Sequence, residues 1–400
     1  MKITKKKLEI RAQILDKIYT LGPISRIDIA NQTGITPATV SEITSDLVEE
    51  RLIHEEGTAE PQATKSGRKK ILLDISHNYS YAVGSELSEK YVSFCLTDNL
   101  GQVITKRVIK FNNRRVTEQL TEQQFISYLH QFIEQNQKYK ITAIGIVLPG
   151  HFDNNQQTII TDNPFWQKFN LAMVADNFDI PIYFENNVEC MAIAQRIFSH
   201  QQKDQNFIFL HVARGMFCSY MYDGKIYGKD NFLVGEIGFT VVQPDGDMFG
   251  RGEQKKNYLK NYSSETAIIR KAQILYENSD STYLHQLVEK KEDIHIGEIL
   301  QAYRLGDEGV ITILRKAIKY LAIILMNLSI LIDSRIIYVH GELFNEPDLF
   351  ESLKAQIIGD ASFLLPAEGQ QVMLASYHDI DGARAACSLV IYNSLLKLAK

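Results

Sequence analysis

Residues 25–51 read SRIDIANQTGITPATVSEITSDLVEER. Apolar or small side chains recur at Ile29, Ala30, Ile35, Val40, Ile43 and Leu47, the spacing of two short amphipathic helices. Gly34 falls between the two runs, where glycine takes the left-handed conformation that ends a helix without a steric penalty. Thr36 offers an oxygen to cap the next helix, and Pro37 suits its first turn. Val40, Ile43 and Leu47 form a buried stripe, which leaves Ala38, Thr39, Ser41, Glu42 and Ser45 facing outward. A plain helical hairpin shares much of this pattern. The small Ala30, the turn glycine, the capping Thr and the Val/Ile spacing together favour a helix-turn-helix, whose second helix lies in a DNA major groove.

The flanks extend this unit. Residues 4–21 carry Leu8, Ile14, Leu15 and Ile18 at helical spacing, predicting a helix packed behind the reading pair. Lys5, Lys6, Lys7 and Arg11 open that helix, either as phosphate contacts or as a solvated face. After the reading helix, Leu52–His54 and Ile71–Asp74 predict two short strands joined by the polar loop EEGTAEPQATKSGRKK, the pattern of a wing. Ser66-Gly67-Arg68-Lys69-Lys70 sets a flexible glycine beside three cations, suited to a backbone or minor-groove contact, or to a plain solvated hairpin tip. The expected DNA-contacting set is Thr36, Ala38, Thr39, Ser41 and Ser45 on the reading helix, with Arg68, Lys69 and Lys70 on the wing. Pro37 and Glu42 stand where a basic side chain is common, which leaves the base preference open.

Four hundred residues with 45% hydrophobic content support large cores beyond this small module. No run of about 18 apolar residues occurs and the N-terminal stretch has no apolar signal segment, so a membrane span or export is not expected. Cys95, Cys190, Cys218 and Cys387 are scattered without metal-ligand spacing, as in a reduced cytoplasmic chain. The whole chain has a net charge of −5, whereas residues 1–75 hold 12 Lys and Arg against 11 Asp and Glu. A global basic field is therefore missing, and any DNA affinity must come from local clusters.

From about Tyr81 the character changes. YAVGSELSEKYVSFCLTDNLGQVITKRVIKF, ITAIGIVLPGHFD, NFIFLHVARGMFCSYMYDGKIYG and SRIIYVHGEL read as buried strands. Helical stretches such as Glu122–Gln135, Val188–Ile197 and Val310–Leu331 lie between them. Strands interleaved with helices imply an α/β body, too long for one lobe and without 20–50-residue repeats.

The order of VGSELSEKYVSFCLTD, GIVLPGHFD, DNPFW, ENNVECMAIA, MYDGKIYG, VGEIGF, YLKNYSS and NLSILIDSRIIYVHGEL resembles the ROK family (repressors, open reading frames and sugar kinases) along essentially the whole chain. The resemblance implies a winged helix-turn-helix over residues 1–75, followed over 76–400 by a two-lobed actin-like ATPase fold with a cleft between the lobes.

For catalysis the resemblance implies losses. Family kinases place an acidic residue and paired glycines in the first phosphate loop; the matching positions here are Glu86, Ser88 and Glu89, and Glu89 would repel a phosphate. The glycine run of the second phosphate loop becomes Ala213-Arg214-Gly215-Met216-Phe217-Cys218-Ser219, and the adenosine-side glycine pair becomes His340-Gly341-Glu342. An ATP site should not survive these changes together. The family's catalytic Asp follows an Asn; here the pair is Asn186-Asn187, and an amide cannot take the sugar proton, a loss of roughly 10²–10⁴-fold. Asn187 could instead cap the helix starting near Val188. The family's zinc site, one His and a CxCGxxGC pattern, reads Phe239, Arg251, Glu253 and Tyr258, so no metal is expected; Phe239 packing on Tyr258 could replace the staple.

The sugar pocket is implied in part. Gly150, Asn163, Asn186 and Glu236 match family positions, Asn187 replaces the Asp, and Lys260 stands for a sugar-binding Glu. Trp166 would either stack on a sugar face or anchor a core. Arg214 and Lys260 would suit an anionic substituent or pair with nearby carboxylates. The expected partners are palindromic operator DNA, a sugar or sugar-phosphate effector, and a second copy in a homodimer or larger assembly. The favoured reading is a transcriptional repressor of carbohydrate genes with a non-catalytic body and no cofactor. An active sugar kinase with an attached DNA-binding domain, and a DNA-bound structural partner with no effector, are the alternatives.

Overall fold

The computed structural model describes residues 5–58, 70–111, 116, 119–199, 205–229, 231–243, 258–357 and 370–397. The chain divides into two compact units, Met1–Lys203 with Asp379–Lys400, and Asp204–His378.

The first unit begins with α1 (Lys5–Leu21), β1 (Ile24–Ser25), α2 (Arg26–Thr33), α3 (Pro37–Glu49), β2 (Ile53–Thr58) and β3 (Ile71–Ile75). Local chemistry fixes the turn between α2 and α3. Gly34 has φ +70° and its N–H returns to the Ala30 carbonyl; Thr36 caps α3 by accepting from the Thr39 N–H. Ile14, Leu15, Ile18, Tyr19, Ile29, Val40, Ile43 and Leu47 are buried, forming the small core of this head. Leu8, expected in that stripe, is exposed, and Tyr19 is buried in addition to the predicted positions. Thr44, polar by composition, is also buried; its hydroxyl donates to the Val40 carbonyl at 2.8 Å, which removes the cost of burying it. The two wing strands pair antiparallel, and β1, a strand too short to read from sequence, adds on the other side of β3.

The α/β part of this unit follows as β4 (Tyr81–Leu87), β5 (Tyr91–Thr97), β6 (Val103–Lys110), α4 (Glu122–Gln135), β7 (Ile141–Leu148), β8 (His151–Asp153), β9 (Thr158–Ile160), α5 (Pro164–Lys168), α6 (Leu171–Ala175), β10 (Ile182–Asn186) and α7 (Asn187–Phe198). Its five-stranded sheet runs in the order β10-β7-β4-β5-β6. The parallel pairs β4–β7 and β7–β10 put α7 at the C-terminal end of β10, the end at which open α/β sheets gather ligands.

The second unit holds β11 (Phe207–Val212), β12 (Met216–Tyr222), β13 (Lys225–Ile226), α8 (Lys260–Ser263), α9 (Glu265–Asn278), α10 (Leu284–Leu287), α11 (Ile296–Arg304), α12 (Glu308–Leu331), β14 (Ile336–His340), α13 (Pro347–Ile357) and β15 (Gln371–Ala375). Its sheet order is β13-β12-β11-β14-β15. The core is aliphatic and centred on α12, whose Leu314, Ala317, Ile318, Leu321 and Leu325 are buried.

The chain then returns to the first unit as α14 (Asp381–Ile391). This helix lies so close to the first sheet that a Cβ on Gly84 would meet the Ala383 carbonyl at 1.9 Å, and one on Gly145 the Ala386 carbonyl at 2.0 Å. Glycine on two neighbouring strands is what permits that approach.

Candidate nucleic-acid interface and effector site

On α3 the positions expected to face DNA do face outward: Ala38, Ser41 and Ser45 are exposed, and Thr39 is half-buried beside exposed Thr36. Their hydroxyls differ in what they can offer a base. Ser45 donates its proton to the Ser41 carbonyl at 2.8 Å, leaving only acceptor lone pairs outward. Thr36 and Thr39 share one hydrogen bond at 2.9 Å. Groups of this kind complement the exocyclic amino donors of cytosine or adenine in the major groove.

The cations are less available than their sequence positions suggest. Lys7 Nζ pairs with Glu42 at 2.9 Å and Asp46 at 3.0 Å, and Arg11 forms a two-pronged pair with Glu50 at 2.5 and 2.8 Å. These contacts neutralise the acidic flank of α3 and clamp it to α1, so Lys7 and Arg11 serve the head's own structure. Lys70 is held by Asp28 at 2.9 Å. Lys5 and Lys6 are exposed and form no ion pair among the described residues, which makes them the phosphate-contact candidates that remain. Arg68 and Lys69 lie outside the described residues.

In the first unit the structure gathers four of the expected effector residues around the start of α7. Asn186 is buried and caps that helix, its Oδ1 accepting from the Val188 and Glu189 N–H groups at 2.9 and 3.1 Å. Asn187 was expected as the cap; its Oδ1 only shares the Val188 N–H, because the chain at Asn186 is still extended and points its side chain at the open N–H groups. The Asn186 amide donates to the Gly150 carbonyl at 3.1 Å. Asn163 caps α5 through the Phe165 N–H and donates to Glu89 at 2.6 Å. Glu89 is thus turned toward the Asn163 segment.

Trp166 is fully buried among Phe165 and Phe169, with ring centroids 4.7 and 5.5 Å away, so the sugar-stacking option is overturned. Hydrophobic burial of the whole indole outweighs display of one face.

The first phosphate-loop region is closed on itself. Ser88 Oγ accepts from the N–H groups of Lys90 and Tyr91 at 3.2 and 3.1 Å and donates to the Tyr91 carbonyl. Backbone donors of the kind that cradle phosphates are therefore already occupied by a side chain. Glu86 is buried with the Tyr91 hydroxyl at 3.2 Å, and Asn187 hydrogen-bonds it as well. Burial, aided by Asp381 and Asp379, pushes its carboxyl up to about 7. Sequence reasoning placed Glu86 but gave no sign of this titration, whose main cause, burial, and whose flanking carboxylates, Asp381 and Asp379, come together only in the folded chain.

In the second unit Glu236 is half-buried and precedes a single 3₁₀ turn, Ile237–Phe239. Lys260 Nζ lies 3.9 Å from the centre of the Phe239 ring. Phe239 and Tyr258 meet edge to face at 5.7 Å, the contact anticipated in place of a metal staple. Arg251 and Glu253 lie outside the described residues. His340, at the adenosine-side position, is buried with its Nδ1 2.7 Å from Nδ1 of His211. Among the described residues no group of three or more His, Cys, Asp or Glu could hold a metal ion, and no helix is long and apolar enough to cross a membrane.

The model of the ROK family matches residues 83–393. The xylose repressor of Bacillus spizizenii is 23% identical over 367 residues, 88% of this chain and 89% of that protein. A crystal structure of a ROK family transcriptional regulator, a homologue of the E. coli MLC protein, superposes with a TM-score of 0.74 at 20% identity over 98% of both chains. A ROK family glucokinase from Streptomyces griseus, solved with glucose and AMPPNP, superposes with a TM-score of 0.64 at 20% identity, covering 78% of this chain and 99% of its own. With its head of α1–α3 and a β2–β3 wing set before that body, the chain belongs to the ROK family, in the branch of transcriptional repressors with an N-terminal winged helix-turn-helix.

Proposed function

We infer that the chain is a DNA-binding transcriptional regulator, a repressor of carbohydrate-utilisation genes, whose body senses a sugar and transfers no phosphate. Residues 1–75 are the DNA-binding domain and 76–400 the sensing and dimerising body. The observation that carries this reading is the path of α7. Its N-cap Asn186 and first residue Asn187 are the residues that the family resemblance assigns to the sugar; in its last turn, Arg196 Nη2 pairs with Asp16 of α1 at 2.7 Å. One rigid helix of 12 residues, about 18 Å long at 1.5 Å per residue, thus joins the effector residues to the helix that clamps α3. A sugar that draws on the Asn186 amide competes with its bond to Gly150 and shifts the N-terminus of α7, and the Arg196–Asp16 pair passes that shift to the reading head. Coupling of this kind is typically worth about 1–3 kcal/mol.

Catalytic silence is supported by the amide at Asn187, the occupied donors beside Ser88 and the buried His340. The regulator works as a cytoplasmic homodimer that offers two reading helices to half-sites about one helical turn apart or a multiple of it. Free sugars come first as effectors, xylose among them because a relative is named a xylose repressor.

The test is a mobility shift on the chain's own upstream DNA, repeated with a panel of pentoses and hexoses and with their 6- or 5-phosphates. Binding that one sugar releases or strengthens supports the reading. Failure to bind that DNA, or ADP formation at enzyme-like rates with ATP, Mg²⁺ and a sugar, overturns it.

A further inference from the structure

We propose that the second unit carries a separate binding site for a phosphorylated small molecule, formed by Arg315, Lys316 and Lys319 of α12 against Gln243 and Tyr320. These side chains, with Val242 and Thr312, line a concavity of about 590 Å³. That volume falls within the roughly 300–1,000 Å³ of small-molecule sites.

The cations converge because of helix periodicity. Arg315 and Lys319 are four apart, and Lys316 and Lys319 are three apart, so all three leave one flank of α12. Like charges at these spacings repel. A helix surface ordinarily relieves this with interspersed carboxylates, yet among the described residues none forms an ion pair with any of the three. The field extends inward to Lys271, which is half-buried, donates to the Tyr262 carbonyl at 3.0 Å, and has its ammonium pKa lowered by burial and by Lys316. Three positive charges thus line one concavity, with Lys271 within reach of their field, and the described lining supplies no carboxylate.

The rest of the wall suits an organic phosphate. Tyr262 donates its hydroxyl to Gln243 Oε1 at 2.6 Å, which fixes the amide and leaves its N–H₂ as a donor. Tyr320 lines the concavity and packs on Tyr262 with centroids 4.4 Å apart, which holds its ring as an apolar face for a sugar. Thr312 gives its proton to the Glu308 carbonyl and so only accepts, as a sugar hydroxyl would require. A phosphomonoester carries about −1.5 to −2 charge at pH 7 and three acceptor oxygens, matching a guanidinium fork flanked by two ammonium groups. The site is built only from residues of the second unit and uses neither Asn163 nor Asn186, so its existence does not depend on the sugar-sensing reading.

Calorimetric titration of the full chain at fixed ionic strength with inorganic phosphate, glucose 6-phosphate and glucose tests it. Glucose 6-phosphate is expected to bind more tightly than inorganic phosphate, and R315A/K319A to weaken its binding at least tenfold. The double variant K225A/K290A, which removes the same charge from exposed positions elsewhere in this unit, should leave it unchanged. Absence of glucose 6-phosphate binding, binding indifferent to R315A/K319A, or equal weakening by K225A/K290A would overturn the proposal. A response to glucose alone that R315A/K319A leaves intact reports the sugar residues and agrees with two separate sites.

Discussion

The Arg196 guanidinium, almost fully buried near the end of α7, is paired with the Asp16 carboxylate of α1 at 2.7 Å across 180 residues of sequence. Breaking the pair from its two sides should not cost the same. Asp16→Ala strands a buried cation and should destabilise the chain by about 3 kcal/mol, in the range seen when one partner of a buried pair is removed. Arg196→Met keeps packing volume and leaves only a part-exposed carboxylate, for roughly 1 kcal/mol. Urea unfolding of both variants checks the order. Both should retain sugar binding while losing the sugar's effect on DNA affinity.

The buried Glu86 predicts a pH dependence with a definite sign. Its folded value near 7 lies above the ordinary 4.5. Between those limits the folded chain holds a proton that the unfolded chain has released, so this group's contribution falls as pH rises from about 4.5 to 7. Below 4.5 the difference vanishes, and above 7 the full penalty persists, on the order of 3 kcal/mol. Glu86→Gln should therefore melt higher than the parent at pH 8 and alike at pH 4.5, and a constant offset across that range would refute the assignment.

DNA binding should separate by residue type. Replacing Lys5 and Lys6 with Ala should weaken binding to all sequences and flatten the dependence of log K on log salt by up to about 2, since each phosphate contact contributes about 0.9. Ser41→Ala should leave that slope alone and cost about 1 kcal/mol on the cognate site only. Fluorescence anisotropy at several salt concentrations distinguishes the two.

Trp166→Ala should cost about 3–5 kcal/mol of stability because it empties a fully buried indole site. As the only tryptophan, it should emit at short wavelength in the native chain. Emission typical of a water-exposed indole would contradict its burial.

How far the sequence could be read follows from the range of the interactions involved. The turn at Gly34, the Thr36 cap and the Val40/Ile43/Leu47 stripe are set within a few residues, and α4 begins and ends at Glu122 and Gln135 as its periodicity predicts. Strands β7 and β14 are nearly continuous apolar runs, the mark of sheets covered on both faces. By contrast β1 has two residues and no periodicity of its own; it exists because β3 offers an unpaired edge.

For the candidate site the division is the same. The family resemblance named Gly150, Asn163, Asn186 and the altered phosphate loop as positions to examine. Only the folded chain decided that Asn186 caps α7 while bonding Gly150, that Trp166 is core, that Lys7 and Arg11 are held by carboxylates on and just after α3, and that burial raises the Glu86 carboxyl. Local backbone preferences and hydrophobic spacing are written along the chain. Which charge meets which, and how much water each keeps, depends on groups brought together from distant positions, and those distances exist only after the core has formed.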